Sequence, residues 1–343
     1  MIDNHRDTTP LTRSAQAVAD DGVQLHVEID EPVEAAVDQG DATVVLCHGY
    51  TLDRRSWTFQ REACVAAGYR VLAWDQRGHG KSGKGEAGHY TIDQLGRDLA
   101  SVLVQCVPAG PVVLVGHSMG GMAIMALADS HPGVVADRVV AVGFISSSSG
   151  DMEGVTWGLG ARLGTWVNGL GPRLATRAAP YQARLQALWN RMPWLGNEMV
   201  AASSFGSAVS RSTAQLTERM MVETDFEVIS DFAPTLQEHD KKSVIPAFAG
   251  VPALVLVGDR DVLTPADRSA ALAAHLPFAE HVVVTRAGHN IMLEHPELIS
   301  DYILRLVRRA ESGGHPHARA GRVRSTDVRP GRGRRALTLG APA

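Results

Sequence analysis

Along the chain, short apolar runs alternate with segments whose apolar positions recur every three or four residues. The runs are Thr43-Val44-Val45-Leu46-Cys47, Arg70-Val71-Leu72-Ala73-Trp74, Val112-Val113-Leu114-Val115, residues 139–145, Ala253-Leu254-Val255-Leu256-Val257 and His281-Val282-Val283-Val284. Their hydrophobicity is nearly uninterrupted, as in strands buried on both faces; half-exposed strands alternate instead. Ahead of them, residues 18–29 predict two short strands around the turn dipeptide Asp21-Gly22. Between the runs, Ile92, Leu95, Leu99, Val102 and Leu103 keep helical spacing behind Thr91, whose hydroxyl can cap the first turn, as can Asp93. A second helix starts after Ser118 and runs through Met122, Ile124, Met125 and Leu127 towards His131-Pro132. Strand and helix in alternation predict a parallel α/β sheet.

Three stretches break this rhythm. Residues 1–16 are polar and mixed in charge, and read as a flexible lead-in. Residues 150–240 carry Trp157, Trp166, Trp189 and Trp194 with Met152, Met192, Met199, Met220 and Met221, but no comparable strand-like run. This segment is expected to be a mostly helical cap over a core formed by 17–149 and 241–310. Most of its large side chains should pack among themselves, and a minority should line a pocket. From 311 to 343, arginines sit among Gly, Pro and Ala with almost no apolar residues, which predicts a disordered basic tail without an assigned partner.

Composition narrows the class. With 343 residues, 45% hydrophobic and 20% charged, the chain can bury a substantial core, and a net charge of −4 gives no reason to expect a nucleic-acid partner. Cys47, Cys64 and Cys106 have neither disulfide-framework nor zinc spacing, so buried thiols in a reducing compartment are expected. The N-terminus lacks the apolar stretch of a secretory signal, and no window has the ~20 apolar residues of a spanning helix. A cytoplasmic location is expected by default, and the oligomeric state is left open.

The chemistry concentrates at the ends of the runs. Gly116-His117-Ser118-Met119-Gly120 follows a strand and opens a helix, the context of a nucleophile elbow. A sharp strand-to-helix turn strains the serine backbone and presents its hydroxyl above the sheet, with the positive end of the helix behind it. A serine hydroxyl needs a base, and the base an orienting acid, in the chain order Ser, acid, His. Asp261 in the loop after 253–257 and His289 in the Gly-flanked loop after 281–284 satisfy that order. Asp259 is expected to bind loop backbone instead, and Asp151 is a lesser candidate acid. His48, His79, His117, His239 and His281 are rival histidines, but none follows the last strand in a Gly-flanked loop. The backbone N–H of Met119 and that of Tyr50, in His48-Gly49-Tyr50, are the expected oxyanion donors. His48 itself is expected to be structural.

Taken together, His48-Gly49-Tyr50, Asp75-Gln76-Arg77-Gly78-His79-Gly80-Lys81-Ser82, residues 116–121, the Asp261 loop and Gly288-His289 resemble the α/β-hydrolase superfamily over about 18–308. They are most similar to bacterial esterases, monoglyceride-lipase-like enzymes and cofactor-free haloperoxidase or perhydrolase relatives. The resemblance implies an eight-stranded, mostly parallel sheet, a helical cap after the sixth strand, and a structural role for the Arg77-Gly78-His79-Gly80 loop. The elbow carries Ser where epoxide hydrolases and haloalkane dehalogenases carry Asp, which disfavours both activities.

The expected function is therefore a serine hydrolase (esterase or lipase-like) acting on a small hydrophobic carboxylic ester through an acyl-enzyme, with no cofactor and no metal. A thioesterase, lactonase, amidase or perhydrolase would use the same residues. A ligand-sensing or partner-binding module with negligible turnover is the alternative of another class.

Overall fold

The computed structural model describes residues 11–32, 41–152, 181, 204–313 and 319–324. The apolar runs become strands of one sheet: β1 (Leu11–Val18), β2 (Gln24–Glu31), β3 (Thr43–Cys47), β4 (Val71–Trp74), β5 (Val112–His117), β6 (Val139–Ile145), β7 (Ala253–Gly258), β8 (Ala279–Thr285) and β9 (Arg319–Arg324). Their spatial order is β1-β2-β4-β3-β5-β6-β7-β8-β9. The β1–β2 and β2–β4 pairings are antiparallel and the rest are parallel. The helices are α1 (Thr58–Ala66), α2 (Ile92–Cys106), α3 (Met119–Ser130), α4 (Pro132–Arg138), α5 (Arg211–Glu223), α6 (Phe226–Gln237), α7 (Ala266–Ala273), α8 (Ile291–Glu294) and α9 (Pro296–Glu311).

The uninterrupted apolarity of the central strands follows from cover on both faces. Val45 and Cys47 of β3 share a core with Leu99 and Leu103 of α2 and Ile124 and Leu127 of α3. Val44 and Leu46 point the other way, into a core with Cys64 and Val65 of α1 and Ile303 and Val307 of α9. Helix α2 starts where expected, and Thr91 is its cap: the Thr91 hydroxyl accepts the Gln94 N–H at 3.1 Å, an interaction typically worth about 1 kcal/mol. Cys47, Cys64 and Cys106 are buried and unpaired. No described helix is long and apolar enough to cross a membrane.

Strands β1 to β8 form the expected eight-stranded sheet, and two boundaries differ from the expected ones. Strand β1 begins at Leu11, inside the 1–16 lead-in, and pairs along its whole length with β2. It is an edge strand held by backbone hydrogen bonds and largely exposed, so burial imposes no apolar period on its sequence. At the other edge, Arg319–Arg324, within the stretch expected to be disordered, runs parallel to β8. The unpaired backbone of an edge strand accepts any extended segment, so an arginine-rich sequence can add a ninth strand without an apolar face. Of the expected cap over 150–240, the part from 204 onward contains α5 and α6, while Trp157, Trp166, Trp189, Trp194, Met192 and Met199 lie outside the described residues.

The chain passes from β3 to β4 on one side of β3 and then, after α2, returns to β5 on the other. At such a reversal of winding, the crevice beyond the carboxyl ends of the strands is where open α/β sheets hold ligands. The loops after β3, β5, β7 and β8 all emerge at this rim.

Candidate active site

Ser118 joins β5 to α3 at φ 51° and ψ −118°, a backbone conformation costly for a residue with a Cβ. Its surroundings hold it there. The Ser118 N–H donates to Ile145 O at 2.9 Å, and its carbonyl accepts the Gly121 N–H at 2.9 Å and the Ser147 hydroxyl at 2.8 Å. The elbow also needs glycine at 116 and 120. A Cβ on Gly116 would lie 2.4 Å from Gly121 N, and one on Gly120 would lie 2.2 Å from Cys47 O. Met119 is the first residue of α3, where backbone N–H groups lack helical partners. Among the described residues, neither the Met119 nor the Tyr50 N–H donates a hydrogen bond.

Asp261 and His289 meet as expected. His289 Nδ1 lies 3.0 Å from Asp261 Oδ1 and 2.9 Å from Oδ2, with both side chains buried. A carboxylate only accepts, so Nδ1 carries the hydrogen and Nε2 keeps a lone pair. Asp261 also takes the Leu263 and Thr264 N–H groups on Oδ1 and the Thr264 hydroxyl on Oδ2, each at 2.9 Å. Burial pushes this carboxyl up, but its interaction with His289 and these hydrogen bonds outweigh it and hold the group below its ordinary value. Asp259 takes the Arg286 N–H at 2.6 Å and so ties loop backbone, as expected for it.

Ser118 and His289 line one cavity of about 340 Å³. Its other walls are mainly apolar, with Leu52, Met122, Ile229 and Leu236 prominent, and Met152 and Met221 are the two expected methionines that reach it. Met220 is buried in the core instead. Thr51, Gln237 and Asn290 are among its polar lining residues.

The rival histidines have other tasks. His48 is buried, with Nδ1 donating to Gly49 O at 2.8 Å and Nε2 accepting the Gln76 N–H at 2.8 Å. Burial lowers its pKa to about 4. His79 donates from Nδ1 to Arg77 O at 3.0 Å and accepts the Thr51 N–H at 3.2 Å, fixing the chain beside Tyr50. His117 lies against the His289 ring, and its Nε2 donates to His289 O at 2.9 Å. His239 donates to Ser148 O at 3.1 Å, and His281 pairs with the Ser269 hydroxyl at 3.0 Å. Asp151 is half exposed and bonded to Lys242 at 2.6 Å, so it is engaged away from His289. Arg77 is wholly buried and bridges Asp98 and Asp21 through four bonds of 2.6–3.0 Å, a structural use of its loop.

Sequence reasoning missed three supports of the site: Thr264, Ser147 and Glu294. Thr264 was within reach, since a hydroxyl three residues after an Asp is a common turn pairing. Ser147 and Glu294 act through contacts that only the tertiary structure brings together.

Residues 44–302 match the sequence model of the alpha/beta hydrolase family. The chain is 29% identical over 322 residues to a 2-hydroxy-6-oxononadienedioate/2-hydroxy-6-oxononatrienedioate hydrolase of Burkholderia vietnamiensis, covering 90% of this chain and 100% of that one. It is 40% identical over 127 residues to epoxide hydrolase A of Mycobacterium tuberculosis, covering 36% of each. Several curated relatives are matched over less than two thirds of their own length. A thermophilic esterase from Thermogutta terrifontis shares the fold, with a TM-score of 0.66 at 24% identity over 87% of this chain and 99% of that one.

Proposed function

Because the chain belongs to the alpha/beta hydrolase family, we propose that it is a serine hydrolase that cleaves a carboxylic ester with a hydrophobic acyl or alcohol group. Ser118 is the nucleophile, His289 its base and Asp261 the residue that orients the base. The observation that carries this reading is the Asp261–His289 pair, with Nδ1 committed to the carboxyl, beside a serine in a strained elbow on the same cavity. His289 Nε2 takes the Ser118 proton as the hydroxyl attacks the acyl carbonyl, then returns it to the departing alcohol. The Met119 and Tyr50 N–H groups receive the oxyanion; one such donor is worth about 3 kcal/mol of transition-state stabilisation. Water activated by His289 then releases the acid. No step needs a group from outside the chain other than water.

The apolar walls from Leu52 and Met122, from Met221 of α5 and from Leu236 of α6 support a hydrophobic substrate. The serine at the elbow supports an acyl-enzyme over epoxide opening, because a serine ester, unlike an aspartyl ester, forms only from an acyl donor. Multiple turnovers on a p-nitrophenyl ester, with a pre-steady-state burst absent in Ser118→Ala, are the expected result. Full activity in Ser118→Ala would overturn the assignment, and absence of turnover by the native chain on ester, thioester, lactone and amide panels would favour a sensing role.

A further inference from the structure

The backbone of the His289 loop is held at several points, and one buried carboxyl that holds it has no part in the proposed chemistry. Ala287 O accepts the Arg260 N–H at 2.9 Å, His289 O accepts from His117 at 2.9 Å, and the Asn290 N–H donates to Ser204 O at 2.9 Å. The Gly288 N–H donates to Glu294 Oε2 at 2.7 Å. The Glu294 side chain is fully buried, and the same Oε2 accepts the Gly206 N–H at 3.1 Å while Oε1 accepts the Ser207 hydroxyl at 2.5 Å. The one basic group within 4 Å of it among the described residues is His295, 3.8 Å from Oε1, and burial lowers the pKa of that ring.

A buried carboxyl is costly unless its acceptors are filled, and here they are filled by two segments that are also joined by the Asn290 N–H to Ser204 O hydrogen bond. One is the loop that carries the base. The other is residues 204–207, in the connection between β6 and β7 just ahead of α5. The two run in direct contact: a Cβ on Gly288 would lie 2.5 Å from Gly206 N.

The geometry points to Glu294 as a positioning residue for His289, fastening residues 206–207 to the loop that carries the base; this rests on the proposed catalytic role of His289. Glu294 touches no reacting atom. It acts by hydrogen-bond geometry, and its charge is not what the loop requires. A glutamine would reproduce all three contacts: its carbonyl oxygen takes the two N–H groups and its amide donates to the Ser207 oxygen. An aspartate keeps the charge but is one methylene too short to span both segments.

The test is therefore a comparison of Glu294→Gln, Glu294→Asp and Glu294→Ala, with kcat and KM on a p-nitrophenyl ester, melting temperature, and hydrogen exchange at the Gly288 N–H. Expected are a fall in kcat of about 10- to 100-fold for Ala and Asp at little-changed KM, since a misplaced catalytic group costs about that much. Gln should stay within about threefold of the native kcat, and Gly288 exchange should accelerate in Ala but not in Gln. Native kcat in folded Glu294→Asp or Glu294→Ala overturns the proposal, as does a loss in Gln equal to that in Asp, which would make charge the requirement. Should Glu294→Ala not fold, the Gln and Asp pair still decides. If the native chain shows no Ser118-dependent turnover, the catalytic reading fails, and Gly288 exchange still reports whether Glu294 holds the loop.

Discussion

The Asp261 carboxyl holds His289 by Nδ1 while its Oδ1 is also committed to the N–H groups of Leu263 and Thr264. This fixes what an amide in its place must do. In Asp261→Asn the remaining oxygen stays on the two backbone N–H groups, so the new NH₂ takes the Oδ2 position and faces the imidazole. His289 Nδ1 must then accept, which moves the ring hydrogen to Nε2 and removes the base. A kcat loss of about 10⁴-fold with little change in melting temperature is expected; it is measured by steady-state kinetics beside thermal unfolding.

Substrate polarity should be set by the apolar wall. Met221 lines the cavity from α5. In Met221→Glu, a hydrophobic acyl chain must displace a charged group's water or leave it unpaired. A rise in KM of about 10- to 100-fold is expected for long-chain p-nitrophenyl esters, against a much smaller rise for the acetate. Equal changes for both would place the acyl chain elsewhere.

The strands and the site were legible in the sequence to different depths, for physical reasons. Residues 43–47 and 139–145 were readable to the residue because burial on both faces demands continuous apolarity. Ser118, Asp261 and His289 were readable because each sits in a loop just past such a run. Strands β1 and β9 left no such trace: edge pairing engages the backbone and is indifferent to most side chains. Glu294 was illegible because a Glu five residues after a histidine has many uses. Only the approach of 204–207 to 288, segments far apart in the chain, gives it a role.

Arg77 is predicted to matter for the fold and not for the reaction. Its guanidinium compensates Asp98, which is wholly buried, and Asp21. Arg77→Met leaves the Asp98 carboxyl buried without its partner, a change that typically costs about 3–5 kcal/mol. Arg77→Lys should recover only part of this, because an ammonium cannot reproduce four bonds spread over a planar fork. Urea midpoints of the two variants measure the difference. Both, where folded, should retain the native KM.

Acid should destabilise the protein well above the pH at which carboxylates titrate. Burial holds His48 at about 4 and both His79 and His117 at about 3, against an ordinary 6.5. Above pH 6.5 these rings are neutral both folded and unfolded, and they add no pH dependence. Below it the unfolded chain binds protons that the folded one refuses, so stability falls as pH drops from 6.5 towards 3–4. At pH 5 each ring accounts for about 2 kcal/mol of that fall, from 1.4 kcal/mol per pH unit below its ordinary value. The low pKa of Asp261 adds a further loss only below about pH 4, as its carboxyl is forced to protonate. Urea unfolding at pH 7.5 and pH 5.0 tests this directly. His79→Asn, whatever its cost at pH 7.5, should lose about 2 kcal/mol less between the two than the native chain. An identical loss would mean that the His79 ring takes up its proton as readily in the folded protein as in the unfolded one.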